Sequence, residues 1–298
     1  MCIRDRCTLV EIGGLLTVII VALPYFGTVD YLEFPVPADG APLEGIPWWA
    51  LLGGGILAFY SFIGFEDLAN VAEEVENPRR NLPRAIVISL AVAAVFYGLV
   101  AIAAVSVIPH QELATSGASA PLLRVVERAA PGFPIRLFII IALFAVTNTA
   151  LVNFVMGSRL LYGMARRNLL PPALGRIHAG RSVPHVAIFL ILGITMVLTL
   201  TLEKATLAGT TSLLLLVVFF VVNLSLVALK LRGDDVEEGT VRVPLFVPIF
   251  GALLTVALAL AVKPKALWSF LILAPAGIVL YLLYRLLRRP VDARSGDV

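Results

Sequence analysis

Charge is scarce in this 298-residue chain. Asp, Glu, Lys and Arg make up 14% of it, against roughly a quarter in a soluble domain. That shortfall, with 59% hydrophobic residues and a mean hydropathy of +0.96, excludes an ordinary water-soluble fold. Cysteine is nearly absent. Cys2 and Cys7 stand at the extreme N-terminus, so there is neither a disulfide framework nor a cysteine metal motif. The three histidines, His110, His178 and His185, fall in connections or at helix ends, and no pair has the helical spacing of metal ligands. The chain has no Walker loop, no dinucleotide fingerprint and no G-x-S-x-G. No metal and no cofactor is therefore expected. Within the apolar blocks the acids are Glu11, Glu66 and Asp67, and no histidine joins them. A membrane-embedded enzyme would need a nucleophile–base set or paired acids there.

What is present is long apolar runs. Eight blocks of about 20 residues, the length of one helical crossing, read as Thr8–Gly27, Trp48–Val75, Arg84–Ile108, Pro134–Ala165, Pro184–Leu202, Thr206–Leu231, Val243–Val262 and Leu267–Leu287. None alternates apolar with polar as a barrel strand would. The expectation is an all-α integral membrane protein of about eight spans, forming one membrane domain over 1–298. Sixteen Lys and Arg residues lie in the N-terminus and in the second, fourth, sixth and last connections, and six on the other side. The positive-inside rule then puts both termini in the cytoplasm, with the protein multi-pass in the cytoplasmic membrane. Topology accounts for the basic residues without a nucleic-acid partner.

The connections differ in character. Thr28–Pro47 has no Lys or Arg and reads as an irregular exoplasmic loop. Within Pro109–Phe133, Leu122, Leu123, Val125, Val126 and Ala129 share an apolar face opposite Arg124, Glu127 and Arg128, which predicts a short amphipathic helix. Asn77–Pro83 reads as a rigid basic turn, Arg166–Pro184 as a second basic connection, Gly233–Gly239 as an acidic mobile loop, and the tail 290–298 as disordered.

Trp48–Val75 is longer than one crossing requires, and it carries Ser61, Gly64, Glu66 and Asp67 near its middle. A carboxylate at mid-membrane costs several kcal/mol, roughly 2.5–3.5 on insertion scales. Breaking the helix frees carbonyls at the end of one half and N–H groups at the start of the next. Those groups survive in hydrocarbon only where they line a protein-enclosed, hydrated or ligand-filled site. The carbonyl end attracts ammonium groups and cations, the N–H end anions. The alternative is that Gly64 permits close helix packing, with the acids near the cytoplasmic interface.

Two stretches carry a resemblance. Tyr60-Ser-Phe-Ile-Gly-Phe-Glu66 with Ala72–Ile86, and Gly157-Ser-Arg-Leu-Leu-Tyr-Gly-Met-Ala-Arg-Arg-Asn-Leu-Leu-Pro171 with Val183-Pro184, resemble the sixth and eighth helices, with their following loops, of permeases of the amino acid–polyamine–organocation superfamily. The resemblance covers the chain after Arg6. It implies a LeuT-like five-plus-five inverted repeat with one broken helix in this chain. On that register 8–27 is helix five, 48–231 the second repeat (helices six to ten) and 243–287 helices eleven and twelve. Residues 1–7 would be a truncated or non-native start of an N-terminally truncated fragment lacking helices one to four.

The resemblance also implies a function. This is secondary active transport of an amino acid or related amine across the bilayer by alternating access, with a proton or sodium as coupling ion or with exchange. The alternatives are a non-transporting sensor or interaction protein on the same scaffold, or the membrane-embedded enzyme. Carbonyls around Phe59, Ser61 and Ile63, at the Gly64 break, would accept the substrate ammonium. Tyr60 is a gate beside the substrate or a packed aromatic. Glu66 belongs to the pathway or stabilises the second half-helix, and Asp67 reads as structural. On helix eight, Thr149 and Asn153 share a face, and Asn153 lines the substrate or bonds a neighbouring helix. On helix ten, Ser212, Leu216, Phe219 and Asn223 share a face, with Ser212 the candidate lining residue. Arg159 is expected to snorkel. Glu11 stands where some proton-coupled relatives carry a lysine, and its charge is opposite. It takes a proton or cation, or it lies at the cytoplasmic interface, which is the favoured reading. Phe59, Phe62 and Phe65 point to an apolar or small neutral substrate. The fragment reading is checked in the DNA upstream of Met1, where four more apolar segments are expected, the first broken by a Gly-rich stretch.

Overall fold

The computed structural model describes residues 3–31, 48–70, 72, 75–115, 120–178, 180, 183–232 and 243–287. Among them all regular structure is helical: α1 Ile3–Ala22, α2 Trp48–Phe62, α3 Asp67–Asn70, α4 Pro78–Val107, α5 His110–Thr115, α6 Pro121–Ala129, α7 Ile135–Arg166, α8 His185–Thr201, α9 Lys204–Arg232, α10 Phe246–Leu260 and α11 Pro264–Leu287. Each of the eight apolar blocks supplies one apolar helix. Five spans are long and apolar enough to cross a membrane: Arg6–Tyr25, Pro78–Val107, Ile135–Arg166, Lys204–Arg232 and Pro264–Leu286. Leu51–Phe62, His185–Thr201 and Phe246–Leu260 are shorter apolar helices. The expected tail 290–298, the acidic loop Gly233–Gly239 and most of the loop Thr28–Pro47 lie outside the described residues.

Proline sets many of the boundaries, because it has no N–H to give and fixes φ. Pro78, Pro121 and Pro264 stand first in α4, α6 and α11. Pro24 sits in the single 3₁₀ turn Leu23–Tyr25 that follows α1. α7 ends differently. Asn168 is left-handed with φ 60°, its N–H meets the Ala165 carbonyl at 3.0 Å, and the Leu169 N–H meets the Met164 carbonyl at 2.9 Å. This paired capping satisfies carbonyls that the helix end would otherwise leave open.

One expectation fails here. Asn77–Pro83 is not a turn, because α4 begins at Pro78 and carries Pro83 inside it. Asn77, with φ 50°, makes the turn alone, and its carbonyl receives the N–H groups of Arg80 and Asn81, each at 3.0 Å. Pro83 is tolerated because it lies near the helix start, where few intrahelical bonds are lost. The residues 3–7 read as a doubtful start are the first part of α1.

The contacts divide the chain into two compact units. One gathers Met1–Ile46 with Arg84–Asn153, the other Pro47–Pro83 with Phe154–Val298. In the first, Val18, Ala22, Ala103, Val107, Ile108, Val125, Val126 and Phe138 form the core. The amphipathic segment is α6 as expected, with Val125 and Val126 fully buried and Leu122, Leu123 and Ala129 packed against the same core. Glu112 of α5 reaches Arg124 at 3.4 Å and Arg128 at 2.8 Å, tying α5 to α6. In the second unit Ile56, Leu216 and Leu258 join α2, α9 and α10, while Ala165, Leu174 and Ala187 make a smaller cluster.

Outside these cores the apolar side chains face outward. Leu260 is 83% exposed and Leu200 81%, and none of the most apolar window of α4 is buried. Water cannot solvate so much contiguous apolar surface, but a bilayer can, so this is a multi-pass membrane protein. Without a hydrophobic drive between helices, packing relies on small residues that let backbones approach. At Gly209 of α9, an added Cβ would sit 2.8 Å from the Ala266 Cβ of α11. Gly209→Ala is expected to destabilise by about 1–3 kcal/mol through overpacking. Pairing it with Ala266→Gly should recover part of that loss, as read by thermal unfolding in detergent.

Candidate functional site

The second unit holds the broken helix. α2 stops at Phe62, residues 63–66 form a turn, and α3 resumes at Asp67. Gly64 allows the break. Its φ of +123° is a conformation that only glycine adopts without strain. The turn is tied by its own backbone, with N–H groups of Ile63, Asp67 and Leu68 on the carbonyls of Tyr60, Gly64 and Phe65, each at 3.2 Å. Glu66 contributes too: its Oε2 accepts the Gly64 N–H at 2.8 Å. One carboxylate oxygen therefore supplies an amide that the break would otherwise strand. Ser61 turns its hydroxyl back to the Leu57 carbonyl at 3.1 Å, so Ser61 can offer a ligand its backbone rather than its side chain.

An aromatic of α9 spans the break. The Phe219 ring meets Phe59 edge-on, with centroids 5.9 Å apart at 84°. It stacks on Phe65 at 5.4 Å and 28°. Phe59 precedes the turn and Phe65 lies within it, so one ring grips both. Such pairs add roughly 0.5–1.5 kcal/mol each beyond area burial. Tyr60 stays 43% exposed. Two turns before Phe219 on the same face, about 10.5 Å along the axis, lies Ser212. It is fully buried, and its Oγ has no hydrogen-bond partner among the described residues. A helical serine ordinarily bonds the carbonyl four residues back, as Thr210 does to Thr206 at 2.8 Å. An unpartnered buried hydroxyl costs about 1–3 kcal/mol, which leaves Ser212, like the equally unpartnered Nδ1 of His185 in the same unit, open to a ligand.

The first unit holds the other polar pair. Asn148 of α7 donates from Nδ2 to Glu11 Oε1 of α1 at 3.0 Å. Asn148 lies twelve residues from Arg136 and eleven from Arg159, at the middle of the apolar run between those arginines. Glu11 and Thr149 also line a cavity of about 710 Å³ whose remaining walls include Leu15, Val18, Phe138 and Ile141. Asn153 belongs to this unit as well and is exposed there. Phe59, Tyr60, Ser61, Ile63, Gly64, Glu66 and Ser212 belong to the other.

Two residues emerge that the sequence reading did not select as site residues. Phe219 shares the Ser212 face of α9, at i+7, and the sequence assigns it no role of its own. Asn148 adjoins Thr149 in a polar triplet, Thr147-Asn-Thr149, set in an apolar run. That triplet was the signal, and the face chosen through Thr149 and Asn153 bypassed it. Removing Asn148 tests the pair. Asn148→Leu strands the Glu11 carboxylate and should cost about 1–3 kcal/mol, whereas the double change Glu11→Leu with Asn148→Leu should cost less than the single one. Equilibrium unfolding in mixed micelles reads the cycle.

Comparison with known proteins adds a family. The model described as amino acid permease matches residues 3–283. A branched-chain amino acid permease of Lactococcus lactis is 29% identical over 253 residues, 84% of this chain and 53% of that protein. An uncharacterized transporter of Mycobacterium tuberculosis is 29% identical over 283 residues, 95% of this chain and 61% of its own length. A chloroplastic cationic amino acid transporter of Arabidopsis thaliana is 35% identical over 141 residues, 47% of this chain and 24% of the relative. The chain thus spans little more than half the length of the first two.

Proposed function

The chain belongs to the amino acid permease family, and from that premise we propose that it is part of a secondary transporter moving an amino acid across the cytoplasmic membrane by alternating access. The observation that carries the reading is the break at Gly64, an interruption of backbone hydrogen bonding inside an apolar helix. In hydrocarbon such an interruption is stable where it lines a site. The end of α2 directs its carbonyl dipole toward the turn, which suits an ammonium group. On this reading the backbone around Phe59, Ser61 and Ile63 takes the substrate ammonium, Tyr60 walls the site, and Ser212 bonds the substrate's polar atoms. The unpartnered Ser212 hydroxyl supports this assignment.

The aromatic ring set of Phe59, Phe65 and Phe219 favours an apolar or small neutral side chain. The printed name of the Lactococcus relative, a branched-chain permease, agrees with that. Glu66 and Glu11 are the groups for coupling, each a carboxylate held by one donor, with a proton or sodium as the coupling ion. The charge asymmetry of the connections supports a cytoplasmic side for both termini. The work is conformational and involves no covalent step.

Liposomes carrying the protein, under imposed proton, sodium and substrate gradients, should take up radiolabelled leucine or alanine. Tyr60→Ala should cut uptake severely and Gly64→Leu should abolish it, with both variants still in the membrane. Absence of flux under every gradient sinks transport, and binding without flux would mark a sensor on a permease scaffold. Near-normal uptake by both variants moves the site elsewhere.

A further inference from the structure

Phe219 spans the break only while α9 holds the rotation that aims its ring at α2. Within the same unit, α9 is seated on α10 at two levels. Leu216 and Leu258 share a core with Ile56 of α2, and Asn223 lies against Gly251. On each helix the two contact residues are seven apart, two turns or about 10.5 Å, so the helices run antiparallel in matched steps. Phe219 falls between Leu216 and Asn223, about one turn from either. The facing stripe of α10 is buried at Pro248, Ala252, Thr255 and Leu258.

The chemistry of the Asn223 amide fixes how the second contact is made. A carbonyl only accepts, so the amide nitrogen is the end that reaches the Phe219 carbonyl, at 2.8 Å. The amide oxygen is left on the side of α10. A Cβ added to Gly251 would stand 2.7 Å from that Oδ1, 3.1 Å from Cγ and 3.2 Å from Nδ2. The whole amide therefore lies on the only glycine of α10, where a small residue lets the helices approach. A side chain this short can yield only by rotating, and rotation breaks its bond to Phe219. We infer that Asn223 is a positioning residue for the broken helix: seated on Gly251, it fixes the turn of α9 that presents Phe219 to Phe59 and Phe65. It acts through that ring and touches no substrate. Its effect on transport rests on the proposed function, and through it α10 serves the site without lining it.

The test places para-fluorophenylalanine at position 219 of the full chain in lipid nanodiscs and reads its fluorine NMR resonance. Neighbouring rings shift such a resonance, and Phe65→Leu calibrates the response. Asn223→Ala and Gly251→Ala should each move it in the direction that Phe65→Leu does. Gly251→Ala should add nothing in the Asn223→Ala background, because the amide it displaces is gone. Gly251→Ala combined with Asn223→Ser should restore the wild-type resonance: serine leaves room for the new methyl, and its hydroxyl reaches the carbonyl four residues back. Relief of crowding alone would make Asn223→Ala and Asn223→Ser equivalent. In liposomes the KM for leucine uptake should rise up to about tenfold in Asn223→Ala, the worth of one hydrogen bond, with the maximal rate little changed, and should return in the Gly251→Ala, Asn223→Ser pair. Should Gly251→Ala alone not fold, Asn223→Ser against Asn223→Ala still decides, the first keeping the resonance and the second moving it. A resonance indifferent to Asn223→Ala, or moved by Gly251→Ala equally with and without the Asn223 amide, overturns the inference. A KM that holds steady while the resonance moves overturns it too. Absence of uptake by the unaltered chain overturns the transport reading instead, and the fluorine resonance then decides by itself whether Asn223 positions the ring.

Discussion

Every backbone amide and carbonyl of this chain that enters hydrocarbon must find its hydrogen bond inside the protein. That constraint makes the described residues helical throughout their regular structure, and it explains how the helices end. Where a segment leaves the apolar layer, proline removes a donor or a capped turn supplies donors, as the Asn168 and Leu169 N–H groups do after α7. Where a helix is interrupted at Gly64, the turn gathers its own backbone bonds and borrows an oxygen from Glu66. The break is built like a helix terminus set inside a span.

The same constraint governs side chains. Most hydroxyls on these helices are spent locally, as with Thr17 on the Gly13 carbonyl at 2.8 Å and Ser225 on the Val221 carbonyl at 2.8 Å. Among the described residues Glu11 and Asn148 bond each other between helices, and Ser212 Oγ and His185 Nδ1 are buried without a partner. In a low-dielectric layer a half-satisfied group is costly, so these exceptions carry more information than the satisfied majority.

The fold was largely legible in the sequence because length and apolar content speak directly to a bilayer. Eight blocks became eight apolar helices, and the α6 stripe through Val125 and Val126 packed as its periodicity predicts. The break was legible because Gly64 and Glu66 have no comfortable place in a continuous span. Asn77–Pro83 misled, since two prolines and two asparagines suggest a turn while Pro78 is equally suited to the first position of a helix. The partners across helices were hidden for a different reason. Nothing in the local pattern of α7 tells which of Thr147, Asn148 and Thr149 faces α1. That depends on how two helices rotate against each other, which is a tertiary fact. Phe219 was hidden likewise, because a phenylalanine on an apolar face carries no mark of what it touches.

Phe219 has a mechanical meaning beyond its contacts. Its ring lies against Phe59 on one side of the turn and Phe65 on the other, so it acts as a pin through a hinge. Any change in the angle at Gly64 must drag the pin, and with it the 29-residue rod of α9, or pull one ring off its partner. A local bend of a few residues is thereby geared to the tilt of a whole span.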